Sequence, residues 1–494
     1  MEHQKSKTNK KTKYTKKQNV VLNQVLDIYK SYLDKFKSGQ KVAFEVPWQK
    51  KQVLGVPRNA NTGRPYQATN AQLLSLIQET KGLDLPYFLN ESDLKELGII
   101  DIMPDFPIAI GKKLVERYLD KSRNDGDKLK WISTKKFKSL TYKEQENYEL
   151  KKAVRHFPLY HHSQFEDSLK NVDLYQKWIA RYNETSLLAK LMDCKTDEER
   201  QKLFEPNILA AKNYLDAVRT EKGIALKEHA TQCYYVPAKD EIAMVNIDQF
   251  TGENALLAYV GVYAHELSHA TGHKSRLNRK LVGNMDSKQY GFEELVAESS
   301  SLQLMKQFNL PSVLDEQSAV YIHSWLKTQH NKGNKDFLSI ACKKGSEACQ
   351  YIDQQYDSFK QSVENNFDIT NAIRTLKFLP ENAPVSLELS YNAVLIKNKA
   401  NELFTSFTDQ TGDAGTLDFW LEFDHFMKQE VGYAKADIEQ VVERVKTQLL
   451  PEHLSINLFD ISSQKLQVKQ ESNTPETSVE NLKSNPNKKR KNSI

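Results

Sequence analysis

Cysteine is scarce in this 494-residue chain: Cys194, Cys233, Cys342 and Cys349 are its four, and none has C-x-x-C spacing. Thiols so few and scattered argue against a disulfide framework and against a Cys-based zinc site, and they suit a reducing cytoplasm. Long apolar runs are missing as well. None reaches the roughly 18 residues that span a bilayer, so no membrane partner is expected. The lysine-rich N-terminus is not followed by an apolar stretch and does not read as a secretory signal. No internal repeat is evident. What remains, with 39% hydrophobic and 27% charged residues, fits a soluble globular protein with polar margins.

Charge is concentrated at the ends. Residues 1 to 20 hold seven lysines (Lys5, Lys7, Lys10, Lys11, Lys13, Lys16 and Lys17) against Glu2, which accounts for the net +6 of the whole chain. A second cluster, Lys488-Lys489-Arg490-Lys491, closes a Ser/Asn/Pro-rich tail. Both ends lack the apolar content for a core, and residues 1–19 and 461–494 are expected to be disordered. Flexible basic segments suit contact with phosphates through counterion release, or simply keep the chain soluble.

The most informative motif is YAHELSHATGH, Tyr263 to His273, in which His265, Glu266 and His269 form H-E-x-x-H. Leu256, Leu257, Val260, Tyr263, Ala264 and Leu267 recur at helical spacing around it, and Gly272 is placed to end the helix. Positions i and i+4 share a helix face, so two imidazoles there can hold one Zn²⁺. Glu266 then stands beside them as a general base for water. The longer pattern with a third His six residues on is absent, because Ser275 occupies that place.

A third ligand is sought in GFEELVAESSSLQLM, Gly291 to Met305, where Phe292, Leu295, Val296 and Leu302 mark a second helix. Its other face aligns Glu294, Ala297, Glu298 and Ser301, and small residues there would let the two helices approach. Glu294 is the preferred ligand, followed by Glu298 and then Glu293. Whichever of Glu294 and Glu298 does not bind metal can orient a ligand His. Imidazole and carboxylate favour Zn²⁺, with Mn²⁺ or Co²⁺ as alternatives. Asp240 reads as a turn residue, and His273, Tyr263 and Tyr290 are open candidates for stabilising an oxyanion.

The organisation along the chain is α+β. Helical periodicity begins near Val20, a turn-rich stretch covers Lys41 to Asn70, and a helix resumes at Gln72 to Thr80. Short extended pieces follow at 85–89, 99–103, 106–111, 128–134 and 154–166, which suggests a small α+β domain over 20–167. A second domain, 168–365, runs from a helical stretch through a strand pair at 233–250 into the metal helix. A mainly helical region of unknown role is expected over 371–460.

Several ordered segments resemble the ArdC-type antirestriction proteins of plasmids and conjugative elements. They are Pro47-Trp48, GVPRNANTGRPYQATN at 55–70, YYVPAKDEIAM at 234–244, HELSHATGHKSRLNR at 265–279, YGFEELVAE at 290–298 and YIHSWL at 321–326. The resemblance implies an N-terminal single-stranded-DNA-binding domain joined to a zincin-like metallopeptidase domain. It thereby implies single-stranded DNA and a protein substrate as partners. On that reading Arg58, Asn61, Arg64 and Asn70 are donors for phosphates and base edges, and Trp48 and Tyr66 are stacking faces. The competing readings are a zinc peptidase merely localised by DNA, and a non-catalytic accessory module like the N-terminal part of plasmid primases. The acidic constellation of a priming enzyme is not evident after residue 370.

Overall fold

A computed structural model describes residues 20–38, 51–99, 104, 106–121, 131–165, 184–250, 255–281, 288–312, 316–332, 336–380, 387–411 and 417–449. The expected basic arm, the basic tail and Trp48 lie outside these residues. The chain divides into two compact units, Met1–Ser362 and Val363–Ile494.

The first unit opens with α1 (Val20–Lys37), β1 (Arg58–Asn59), α2 (Ala68–Lys81), β2 (Tyr87–Asn90) and α3 (Glu91–Glu96). Next come β3 (Ala109–Asp120), β4 (Trp131–Ser133), α4 (Thr134–Lys138), α5 (Tyr142–Gln145) and β5 (Tyr148–His161). After α6 (Glu184–Asp193) and α7 (Asp197–Glu221) lie three short strands, β6 (Ala225–Glu228), β7 (Tyr234–Val236) and β8 (Glu241–Met244). Four helices complete the set: α8 (Ala255–Ala270), α9 (Lys288–Gln307), α10 (Glu316–Asn331) and α11 (Phe337–Asn365).

Five strands form one sheet in the order β1-β2-β5-β3-β4. Side chains alternate across a strand, and β2 shows what this does here. Tyr87 and Leu89 enter one core, together with Tyr160, Phe204, Tyr263 and Met305. Phe88 enters another, with Leu73, Leu159, Leu302, Leu326 and Leu338. Each core therefore takes residues from before and after position 167, so the two expected domains pack as one body. A buried ion pair joins them further: Lys306 of α9 donates to Glu79 of α2, whose carboxylate also accepts from the Ser312 N–H (2.8 Å) and hydroxyl (2.7 Å).

The expected strands at 106–111 and 154–166 are ends of something longer. β3 and β5 run antiparallel in unbroken register from Ala109↔Leu159 to Asp120↔Tyr148. At its base this ribbon packs on α1 and α2, where Gln24 bonds both backbone groups of Ile110. Its outer part carries exposed Leu114, Leu150 and Val154. With both faces in water, the sequence there lacks the apolar alternation of a half-buried strand.

The second sheet has the order β6-β8-β7. Its central strand β8 is buried throughout and leads through a short 3-10 turn, Ile247–Gln249, to α8. α7 starts with a capping box between Thr196 and Glu199 and three acids in its first turn, which favour the helix N-terminus. The second unit holds α12 (Ile369–Phe378), α13 (Leu387–Thr411), α14 (Leu417–Val431) and α15 (Lys435–Leu449) around a core that includes Ile373, Phe404, Phe423 and Val445. Among the described residues no helix is long and apolar enough to cross a membrane.

Candidate metal centre

The helix bearing the motif, α8, is buried on nearly every side through Leu257, Val260, Gly261, Tyr263, Ala264, Leu267 and Ala270. Burial leaves its terminal carbonyls in need of donors. Two arginines supply them: Arg276 Nε donates to the Ala270 carbonyl (2.7 Å) and Arg279 Nη2 to that of Ser268 (2.8 Å). Gly272 follows the helix, where a Cβ would meet the Arg279 guanidinium at 3.0 Å. The C-terminal turn of α8, which carries His269, is thus held from outside the helix.

His265 and His269 place their Nε2 atoms 3.1 Å apart. Glu294, on α9, sets one carboxylate oxygen 3.3 Å from His265 Nε2 and the other 3.4 Å from His269 Nε2. Donors about 2.0–2.1 Å from a tetrahedral ion stand roughly 3.3–3.4 Å apart, so this triangle fits a divalent metal. His265, His269 and Glu294 are one of two groups among the described residues close enough to hold an ion.

The outer nitrogens of the histidines have carboxylate neighbours too. Glu293 Oε1 lies 3.4 Å from His269 Nδ1, and Glu298 Oε2 lies 3.7 Å from His265 Nδ1. Glu293 is fixed in turn by Arg279, through Nε (3.0 Å) and Nη2 (2.7 Å). Adjacent positions on α9 therefore serve different atoms: Glu294 faces the two Nε2 atoms, while Glu293 faces Nδ1 of His269. Such carboxylate–imidazole contacts fix a ligand's tautomer and raise its basicity. Sequence reasoning ranked Glu293 last and did not single out Arg279. Its signal was an arginine nine residues after a helix terminus that needed a cap.

Electrostatics follow the geometry. Burial favours neutral imidazoles, but the Glu294 charge and the hydrogen-bonding glutamates outweigh it. His269 is raised to about 9 and His265 also lies well above the usual range. Burial alone would raise Glu294, yet the two histidines hold it far below the usual carboxylate range. Glu266 is 7% exposed, and burial pushes its carboxyl up while the histidines and the Tyr235 backbone pull it down. A raised carboxyl next to a metal site is suited to accept a proton from water near neutral pH.

Other candidates are occupied elsewhere. Tyr263 is buried, with its hydroxyl 3.0 Å from Asp216 of α7. Asp240 sits in the β7–β8 turn at φ 51° and binds Arg276 (2.9 Å) and the Tyr235 hydroxyl (2.7 Å). His273 Nδ1 contacts the Ser275 hydroxyl at 2.7 Å.

The second group is Asp84, His161 and His162. His161 Nε2 faces the Leu85 carbonyl at 2.7 Å, a contact that requires a proton on that nitrogen, while Nδ1 accepts from the Ser163 N–H. Burial lowers its pKa to about 3, so the ring is neutral with both nitrogens engaged. It clamps the ends of β2 and β5.

The residues expected at DNA sit mainly at the β1 edge of the five-stranded sheet. Arg58 donates to the Gly63 carbonyl (3.2 Å), and Asn61 to Glu96 (2.9 Å). Asn70 exchanges two bonds with the backbone of Lys112 (2.8 and 3.0 Å), extending the sheet as a side chain. Tyr66 packs edge-on against Phe88. Arg64 is exposed.

Two family models match in succession: the N-terminal domain of anti-restriction factor ArdC over residues 24–158, and a zincin-like metallopeptidase over residues 213–341. The chain carries an ArdC-type N-terminal domain with a zincin-like domain after it. Among relatives, this chain is 31% identical over 142 residues to an uncharacterized protein, y4eC, of Sinorhizobium fredii, covering 28% of this chain and 45% of that one. It is 32% identical over 110 residues to a DNA primase TraC of Escherichia coli, covering 22% of this chain and 7% of the primase. The chain thus spans less than half the length of these curated relatives. A crystal structure of antirestriction protein ArdC from plasmid R388, metal-free, is similar at 22% identity and a TM-score of 0.40, over 68% of this chain and 98% of that one. An Mn(II)-bound structure of the same protein gives 21% and 0.37, over 67% and 97%.

Proposed function

We propose that this chain is an antirestriction protein of a mobile element, acting in the cytoplasm, which binds single-stranded DNA through its N-terminal half and carries a zinc metallopeptidase site. The observation that carries the enzymatic part is the triangle of His265, His269 and Glu294 at 3.1–3.4 Å with Glu266 buried beside it. Two imidazoles and one carboxylate suit Zn²⁺, and Mn²⁺ or Co²⁺ would fit the same donors. When bound, the ion supplies Lewis acidity toward a carbonyl and lowers the pKa of water to about 7.

The chain's own residues do the rest. Glu266 takes the proton of the attacking water and returns it to the leaving amine of a cleaved peptide bond. Glu293 and Glu298 hold the rings of His269 and His265 so that Nε2 of each points inward. β7 supplies the Tyr235 backbone bond to Glu266, and this short strand borders the site.

The N-terminal family model and the primase match support the DNA-binding part. The primase match also favours a second reading, an accessory module that binds strands without hydrolysis. Glu266→Gln separates them. It should keep metal content and DNA affinity while losing peptide cleavage and protection of incoming DNA from restriction. Undiminished protection by that variant would remove hydrolysis from the function.

A further inference from the structure

The DNA-binding reading leaves open where on the N-terminal half a strand would lie. We propose that it lies on the outer part of the β3–β5 ribbon, with β4 along its edge, and not at the β1 edge. This proposal rests on the reading that the N-terminal half binds single-stranded DNA.

The register of the ribbon carries the argument. Lys113 pairs with Arg155 and Arg117 with Lys151, which puts two cation–cation pairs directly opposite each other. These pairs share a face, since the positions are even numbers of residues apart. Like charges directly opposite are unfavourable in a sheet. The reverse face of the same ribbon shows the ordinary solution, with Glu116 opposite Lys152. Glu149 on the same face pairs with Lys151, so one acid offsets the four cations and the face stays cationic overall. A polyanion laid along it would relieve the repulsion.

Aromatic groups bracket the cations. Phe157, opposite Gly111, lies at the inner end with the Lys113 ammonium 5.7 Å over its ring. Trp131 of β4, opposite Leu119, lies at the outer end and is 37% exposed. A groove of about 560 Å³ runs between β3 and β4, where Arg117, Lys135 and Arg155 outnumber the one acid, Glu116, beside Trp131 and Ser133. Cations at a groove beside an exposed indole match the needs of a single strand, phosphates on the guanidinium groups and a base on the ring. By contrast, Asn61 at the β1 edge is bonded to Glu96, and Asp93 and Glu91 stand nearby on α3, a poor setting for phosphate.

The test is anisotropy with a fluorescein-labelled 20-mer oligothymidylate and the full-length chain, across a series of salt concentrations. Three variants are compared: Arg117→Glu with Arg155→Glu, Trp131→Ala, and Arg64→Glu at the other edge. The double reversal should cut affinity at least tenfold and reduce the slope of log affinity against log salt by about 1.4 for two lost contacts. Trp131→Ala should lower affinity about tenfold with the slope kept, and Trp131→Tyr should restore it. Arg64→Glu should bind within about twofold of wild type. If the ribbon variants bind like wild type and Arg64→Glu does not, the ribbon proposal falls while the DNA-binding reading stands. If the wild-type chain ignores the oligonucleotide, both fall together. Circular dichroism matching the wild type assigns any loss to the surface and not to unfolding.

Discussion

The ion pair between Lys306 and Glu79 offers a quantitative test of the claim that the two halves of the first unit fold as one. The Lys306 side chain is 0% exposed and that of Glu79 is 10%. Among the described residues, Glu79→Leu leaves the ammonium with only the Leu310 carbonyl, 3.5 Å away. An orphaned buried charge of this kind costs roughly 3–5 kcal/mol. Lys306→Met is milder, because the carboxylate keeps both donors of Ser312. The loss is then that of a charged hydrogen bond, about 1.5–3 kcal/mol. Additive effects would give the double variant a cost of about 4.5–8 kcal/mol. The buried site predicts less than about 3 kcal/mol, since an apolar pair replaces both charges and the Ser312 donors lose a charged acceptor. Urea unfolding followed by circular dichroism, on metal-free protein, would measure all four species. Additivity within about 0.5 kcal/mol would show that the charges are not coupled and refute the reasoning. Glu79→Leu should also lower the unfolding midpoint of both halves together, because they share two cores.

Further expectations concern the metal centre. Glu294→Ala should abolish stoichiometric zinc in elemental analysis, whereas Glu293→Gln or Arg279→Met should weaken affinity about 10–100-fold by freeing the His269 ring. Because the folded metal-free protein holds His269 at about 9, above the unfolded value of about 6.5, the stability it contributes is complete below about 6.5 and is lost as pH rises toward 9. Metal must displace that proton, so the rise in melting temperature on adding Zn²⁺ should grow across the same interval. A constant rise would contradict the assignment. At the crossing of α9 and α11, a Cβ at Gly345 would stand 2.6 Å from Ser299 Cβ and 2.9 Å from the Val296 carbonyl. Gly345→Ala should therefore cost about 1–3 kcal/mol in urea unfolding, and a neutral result would show that the helices can separate freely.

What was legible in the sequence follows from burial. The α8 and α9 helices announced themselves because Val260, Tyr263, Leu267, Leu295 and Leu302 face cores at helical spacing, and the same periodicity put His265, His269 and Glu294 on facing surfaces. The ribbon did not, because KKLVERYLD and YELKKAVRH face water on both sides and carry no alternation to read. Asn61 and Asn70 illustrate a different limit. A polar side chain looks the same in sequence whether it meets a base edge, a glutamate or the backbone of its own sheet. Glu293, last in the ligand ranking and indeed turned away from both Nε2 atoms, still contacts a ring for a related reason. A face assignment distinguishes adjacent positions by about 100°, but a ring has two nitrogens, and each can take a carboxylate from neighbouring positions of one helix. The sharing of cores by Tyr87, Phe88 and Leu89 is a long-range fact that no local pattern encodes.

That sharing has a consequence for how such chains can change by recombination. A crossover between related genes near codon 167 would join one parent's Phe88 and Leu159 to the other's Leu302 and Leu326, and one parent's Tyr160 to the other's Phe204 and Met305. A hybrid whose parents differ at these positions would mismatch both cores at once. Exchange is tolerated more readily at the boundary near residue 362, where the compact units divide. The N-terminal half and the segments around His265 and Glu294 would thus be inherited together, while the helical region after them could be exchanged as a separate piece.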